Sequence, residues 1–259
     1  MKLNENMFSL SKQYFTKGKN GFTSATITGE RRVGKTMYSM QVVYQICRYR
    51  GMTKEIAWAT ALNSIVFTMD DLVNIIKKHN YDNRRDFLIW DDSGVYGSGL
   101  LYRYNADNAM VLKALMDTIG TRVRLLMLTC PDIEGLMKFL RRYQDFLVHV
   151  VEHHHTYGYN GRLATVLKPY RAKNLSRRWK RAYNDEFNVK IPDNIYKVYV
   201  KKRDSYADTI IEELLRRGGD DGREIIRENF GEEQLVGQNR LLDHLVPADN
   251  EGSTLPSRE

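Results

Sequence analysis

Cysteine is scarce in this chain, with two in 259 residues, and the two occupy unlike settings: Cys47 inside a helical stretch and Cys130 at the end of an apolar run. That excludes a disulfide framework and a cysteine-built metal cluster, and leaves both as small core residues. Long apolar runs are missing too. None reaches the ~18 residues a membrane-spanning helix needs, so no membrane partner is expected. The opening residues, Met1 to Asn6, lack the apolar core of a signal peptide, so the expected setting is cytoplasmic. No internal repeat is present.

What is abundant is charge, and it is unevenly spread. The net charge is +8, yet residues 204–259 hold 6 Arg against 14 Asp and Glu, a net of −8 that leaves +16 on residues 1–203. Within that basic body, residues 168–203 carry 12 Lys and Arg against 3 acids, interleaved with Tyr170, Trp179, Tyr183, Phe187, Tyr196 and Tyr199. Basic groups neutralise phosphates and rings stack on bases, so 168–203 is the candidate nucleic-acid contact. The plainer reading is a solvated helical face with a few core aromatics. The length suits one domain of about 170 residues and an appended segment.

Residues 29–36, Gly29-Glu30-Arg31-Arg32-Val33-Gly34-Lys35-Thr36, read G-x-x-x-x-G-K-T. Glycines let such a loop curl so that successive N–H groups face phosphate oxygens, and the following helix adds its positive end. Lys35 would reach the β- and γ-phosphates, Thr36 would hold Mg²⁺, and Met37 would begin the helix beneath the phosphates. The setting agrees: residues 22–28 are rich in β-branched residues and read as a strand, and Met37, Met40, Val43, Tyr44 and Ile46 recur at helical spacing until Gly51. A second element, residues 86–92, is Asp86, four apolar residues, and then Asp91 and Asp92. Asp91 is the candidate metal partner and Asp92 the candidate base for an attacking water. A third strand, 123–129, ends in Thr129.

These three strands resemble the additional-strand division of P-loop ATPases, which includes the AAA+ and RecA-like groups, over roughly residues 20–170. The resemblance implies a three-layer α/β/α sandwich with a mostly parallel central sheet. It implies that strand 123–129 lies between the loop strand and the metal strand, with Thr129 sensing the γ-phosphate. It also implies ATP with Mg²⁺, since no guanine-specific N-K-x-D pattern occurs. One departure is Asp92, where that group carries Glu; the shorter arm suggests slow hydrolysis. A helix over 132–140 would end at Arg141 and Arg142, either as arginines entering a neighbouring subunit's site in a homo-oligomer or as cations favoured by a helix C-terminus. Residues 89–104, Trp58 and 65–72 resemble small P-loop ATPases of archaeal viruses and plasmids, which implies service to a mobile element's DNA in the host cytoplasm.

The expected organisation is a nucleotide-binding domain over 1–170, a basic-aromatic to acidic helical appendage over 171–246, and a disordered tail over 247–259. Residues 145–155 and 162–170 read as a β-hairpin about a 157–161 turn, with the first arm joining the main sheet. Pro192 would open a helix carrying Ile195, Tyr199, Ile210, Ile211, Leu214 and Leu215 and stopped by Gly218-Gly219, and Ile225 to Leu245 suggest shorter helices. His153, His154 and His155 on a strand cannot converge on one metal, so they read as polar edge residues. Gly94, Gly97 and Gly99 suit either a mobile loop over the nucleotide or substrate or a plain surface loop. Three functions stay open: a nucleic-acid-coupled ATPase, a nucleotide-gated switch, and a small-molecule phosphotransferase.

Overall fold

The structure, a computed structural model, describes residues 7–94, 106–171 and 177–217. In chain order the first elements are α1 (Ser9–Thr16), β1 (Thr23–Thr28), α2 (Lys35–Tyr49), α3 (Lys54–Asn63), β2 (Ile65–Val66), α4 (Met69–Lys77) and β3 (Arg85–Trp90). Then come α5 (Ala106–Thr118), β4 (Val123–Thr129), α6 (Lys138–Arg142), β5 (Phe146–Glu152), α7 (His154–Tyr157), β6 (Gly161–Arg171), β7 (Arg177–Asn188) and α8 (Asp193–Arg217).

The strands form one seven-stranded sheet in the order β2-β3-β4-β1-β5-β6-β7. The first five run parallel; β6 and β7 are antiparallel additions at one edge. The chain therefore has the mostly parallel α/β fold expected from its motifs, with β4 between β1 and β3. Parallel central strands are buried on both faces and read as apolar runs, as Leu125 to Leu128 do. Strand β1 is buried throughout although it reads Thr-Ser-Ala-Thr-Ile-Thr. Two of its hydroxyls are satisfied by neighbouring carbonyls, Ser24 Oγ donating to Tyr143 O at 2.6 Å and Thr28 Oγ1 to Val148 O at 3.2 Å.

Strand alternation divides the core. Leu88 and Trp90 of β3 join Leu126 and Leu128 of β4, Leu72 and Ile76 of α4, and Leu112 and Met116 of α5 in one buried cluster. Trp90 is fully buried and keeps its indole N–H satisfied by Phe67 O at 3.1 Å. Phe87, Ile89, Leu125 and Met127 turn to the opposite face, where Tyr14 of α1 meets Phe87 at 5.4 Å between ring centroids. Below that ring, Asp86 pairs with Arg50 at 2.7 Å and Arg124 at 2.8 Å and accepts from Tyr14 Oη at 2.7 Å. Burial alone would raise the Asp86 pKa, but these donors and cations hold it below the ordinary carboxylate range.

Four local expectations change. Residues 177–188 form a strand paired along its length with β6, so residue 170 lies within the sheet, and a first compact unit runs to Tyr206 with a second from Ala207. The density of Lys and Arg hides the strand alternation there, in which Asp185 and Phe187 are buried while Asn184 and Glu186 are exposed. The helix expected over 132–140 shrinks to α6, because Asp132 Oδ1 accepts the Glu134 N–H in a tight turn. The hairpin is present, but its connection contains α7, so His154 and His155 lie on a helical turn rather than a strand. The carboxylates of the metal strand, Asp91 and Asp92, sit just past β3 in a turn.

Helix α8 spans the stretch read as starting at Pro192. Its expected stop at Gly218-Gly219, the later short helices, the 247–259 tail, and Gly97 and Gly99 lie outside the described residues. Among the described residues no helix is long and apolar enough to cross a membrane.

Candidate nucleotide-binding site

Register assembles the site. Ile27 of β1 pairs with Thr129 of β4, and Trp90 of β3 with Leu128, so the three parallel strands end together. Residues 29–36, Thr129 and Asp91 therefore meet at one sheet edge, the C-terminal edge where open α/β sheets bind ligands. Two glycines are required by the backbone path. Gly29 has φ 139° and a Cβ there would lie 2.3 Å from Val150 O; Gly34 has φ 102° and its Cβ would lie 2.6 Å from Val189 Cγ1. Arg32 also takes a left-handed φ of 64°.

Helix α2 starts at Lys35 with no side-chain cap and no acid in its first turn, which leaves its first N–H groups open to an anion. Glu30, Arg31 and Arg32 are exposed, while Val33 and Met37 are buried beneath the loop. Lys35 is buried, and its ammonium folds back to donate to Gly29 O at 2.9 Å and Glu30 O at 2.7 Å. Burial pulls its pKa down, against the upward pull of Asp92 and Asp91. A phosphate at the loop would exchange carbonyl partners for anionic ones, a gain for a desolvated cation.

Asp91, 1% exposed, is held by three hydroxyls. Its Oδ1 accepts from Thr36 Oγ1 at 2.7 Å and Thr129 Oγ1 at 2.5 Å, and its Oδ2 from Tyr199 Oη at 3.0 Å. Thr129 Oγ1 in turn accepts the Asp92 N–H at 3.0 Å, which fixes the turn where Asp92 adopts a φ of 50°. The pKa of Asp92 is pushed up, to about 6, by burial and then by the charge of Asp91, while Arg203 and Lys35 pull it down. A hydroxyl and a carboxylate 2.7 Å apart beside a phosphate-binding loop suit Mg²⁺, which takes oxygen ligands and few carboxylates. Thr36 and Asp91 are thus the residues fit to hold it.

Sequence reasoning missed three contributors. Arg162 of β6 donates through Nε to Val33 O at 2.9 Å and through Nη1 to Tyr159 O and Gly161 O at 2.8 Å each, bracing the loop from behind. Tyr199 and Arg203 come from α8: Tyr199 Oη also lies 3.4 Å from Thr36 Oγ1, and Arg203 Nη2 lies 3.4 Å from Asp92 Oδ2. Tyr199 stood in the sequence as one member of an apolar helical stripe and of the basic-aromatic stretch 168–203; it is buried, and nothing in its spacing marks a role at this site. Arg141 and Arg142 are not brought to this site. They precede β5, whose Phe146 pairs with Ala25 near the start of β1, so they lie toward the opposite end of the sheet, where Arg141 pairs with Glu134.

No family model matches this chain. Over 207 residues it is 26% identical to an uncharacterized protein, B-251, of Sulfolobus spindle-shape virus 1, spanning 75% of this chain and 79% of that protein. The crystal structure of flagellar accessory protein FlaH from Methanocaldococcus jannaschii matches with a TM-score of 0.35 at 14% identity, covering 69% of this chain and 98% of that one.

Proposed function

We propose that this chain binds and hydrolyses ATP and couples that cycle to nucleic acid, DNA in the first place, in replication, remodelling or packaging. The observation that carries the reading is the convergence of Lys35, Thr36, Asp91 and Thr129 at the end of three parallel strands behind a glycine-bounded loop. Lys35 and the α2 N–H groups bind the phosphates. Mg²⁺ carried by Thr36 and Asp91 supplies charge neutralisation at the phosphates. Asp92, whose pKa is raised above the ordinary carboxylate range by burial and by the charge of Asp91, is the residue placed to take a proton from water. Thr129 links the two carboxylates, so a change at Asp91 reaches the Asp92 backbone through one side chain. Similarity to a protein of an archaeal virus supports a mobile element working in a host cytoplasm.

The nucleic-acid contact within 168–203 is the β6–β7 ribbon. Residues 168–181 contain seven Lys and Arg and no acid. Its register sets like charges opposite one another, Lys168 across from Lys180. Such pairs destabilise an isolated ribbon, and a polyanion relieves the repulsion.

The second reading, a nucleotide-gated switch with little turnover, is favoured by Asp92 in place of Glu and by a metal carboxylate already satisfied by hydroxyls. ATP turnover measured with and without single- and double-stranded DNA separates the readings. Stimulation by DNA supports the ATPase, and tight Mg²⁺-dependent binding without turnover supports the switch. Turnover only with a small-molecule acceptor would mean a phosphotransferase and overturn the proposal.

A further inference from the structure

Helix α8 reaches the nucleotide site along a single stripe, Tyr199, Arg203 and Tyr206, at helical spacings of four and three. Tyr206 stacks on Phe67 at 5.0 Å and Tyr199 meets the same ring at 6.4 Å, so the stripe has an apolar footing beside the polar contacts. Tyr199 is 5% exposed. Its hydroxyl has one proton, and the geometry directs it to Asp91 Oδ2 at 3.0 Å, with Thr36 Oγ1 at the longer 3.4 Å. The phenol therefore touches the two side chains fit to hold Mg²⁺, and among the described residues it is the hydrogen-bond donor to Asp91 Oδ2. A buried carboxylate oxygen left without a donor is costly, and Tyr199 does for Oδ2 what a cation would do.

We propose that Tyr199 is an internal occupant of the metal position, so that docking of α8 and binding of Mg²⁺ with nucleotide compete for Asp91 and Thr36. This inference rests on the nucleotide-site reading above. The competition is balanced well enough to be reversible: one hydroxyl bonded to a carboxylate is worth about 1.5–3 kcal/mol, about 10- to 150-fold in an equilibrium. Arg203, one turn on, holds Asp92 at 3.4 Å and is half exposed, so release of Tyr199 leaves a single weak contact between the stripe and the carboxylates. Nucleotide state is then read out as the docked or released state of α8. Because the apparent affinity of a site scales with the fraction of chains in the competent state, Tyr199 lowers affinity for metal-bound nucleotide without touching Lys35 or the loop.

Tyr199→Phe keeps the ring against Phe67 and removes only the hydroxyl. In calorimetric titrations of the full chain, the variant should bind Mg²⁺–ATP about tenfold more tightly than the natural chain and ATP in EDTA equally well. Trypsin provides a readout independent of turnover, since Lys197, Lys201 and Lys202 are exposed along α8. Mg²⁺–ATP should speed cleavage there several-fold in the natural chain, and Tyr199→Phe should be cleaved at that faster rate without ligand. Weaker Mg²⁺–ATP binding by Tyr199→Phe would overturn the inference, because the hydroxyl would then belong to the loaded site; so would α8 cleavage indifferent to Mg²⁺–ATP. A natural chain that binds no Mg²⁺–ATP at all would instead refute the nucleotide site on which the inference rests.

Discussion

Replacing Arg162 with Met should weaken nucleotide binding from a position that touches no phosphate. The stem of Met fills the space of the arginine stem, so packing near Gly34, whose missing Cβ would lie 3.8 Å from Arg162 Cγ, is kept. What is lost is the guanidinium. Of its three carbonyl partners, Gly161 O still accepts the His153 N–H at 3.1 Å, and Tyr159 is 89% exposed, so water replaces its donor. Val33 is 4% exposed and its carbonyl is left short of a donor, a cost of about 1–3 kcal/mol. The pair with Glu152 at 3.2 Å involves a carboxylate 59% exposed and adds at most about 1 kcal/mol. The sum, roughly 2–3 kcal/mol, corresponds to a fall in Tm of about 4–12 °C for a unit of this size. Because Val33 directly precedes Gly34 and Lys35, part of that loss falls on the loop, and nucleotide affinity should drop about tenfold. Arg162→Lys should not rescue it, since a single ammonium nitrogen lacks the planar spread by which Nε reaches Val33 O while Nη1 reaches Tyr159 O and Gly161 O. Thermal unfolding and calorimetric titration of both variants check this; an unchanged Tm together with unchanged affinity would refute the bracing role.

Asp91→Asn should weaken Mg²⁺-dependent ATP binding, whereas Asp92→Asn should leave binding nearly intact and slow turnover; equal loss of binding in both would contradict the division of roles. Asp86 has a depressed pKa, so its contribution is present above the ordinary carboxylate pKa and is lost as pH falls through the folded value. Asp86→Asn should therefore cost about 1 kcal/mol at pH 7, a figure reduced by solvent screening of a side chain 37% exposed, and show a shallower acid decline below about pH 4 than the natural chain, measured by denaturant melts across pH. Arg141→Ala and Arg142→Ala should leave ATP binding unchanged, because both lie away from the chain's own site. A steep loss of turnover in either, restored by mixing with Lys35→Ala, would mean that a homo-oligomer uses that arginine in a neighbour's site.

The phosphate loop, the metal strand and the Thr129 strand were legible because each is written locally: a glycine-bounded loop before a helix, and apolar runs ending in Asp91 or Thr129. Their order in the sheet followed from resemblance, and the register of β1, β3 and β4 agrees with it. Strand β7 was not legible because Arg and Lys occupy the positions where alternation would show, and its partner β6 supplies the pairing that decides its conformation. The parts that Tyr199, Arg162 and Arg203 play at the nucleotide site could not be read. Each acts over more than 100 residues of sequence, on Asp91, Val33 and Asp92, and spacing along the chain carries no record of contacts made only by the folded sheet and α8.

The most direct measurement is a calorimetric titration of the full chain with ATP in the presence of Mg²⁺, run beside Lys35→Ala. The natural chain should bind one nucleotide saturably. The variant should lose that binding while its Tm stays within about 4 °C, because the ammonium bonds only the loop carbonyls of Gly29 and Glu30 and those face a ligand site rather than the core. No binding by the natural chain, or equal binding by Lys35→Ala, would contradict the assignment of residues 29–36 as a nucleotide site.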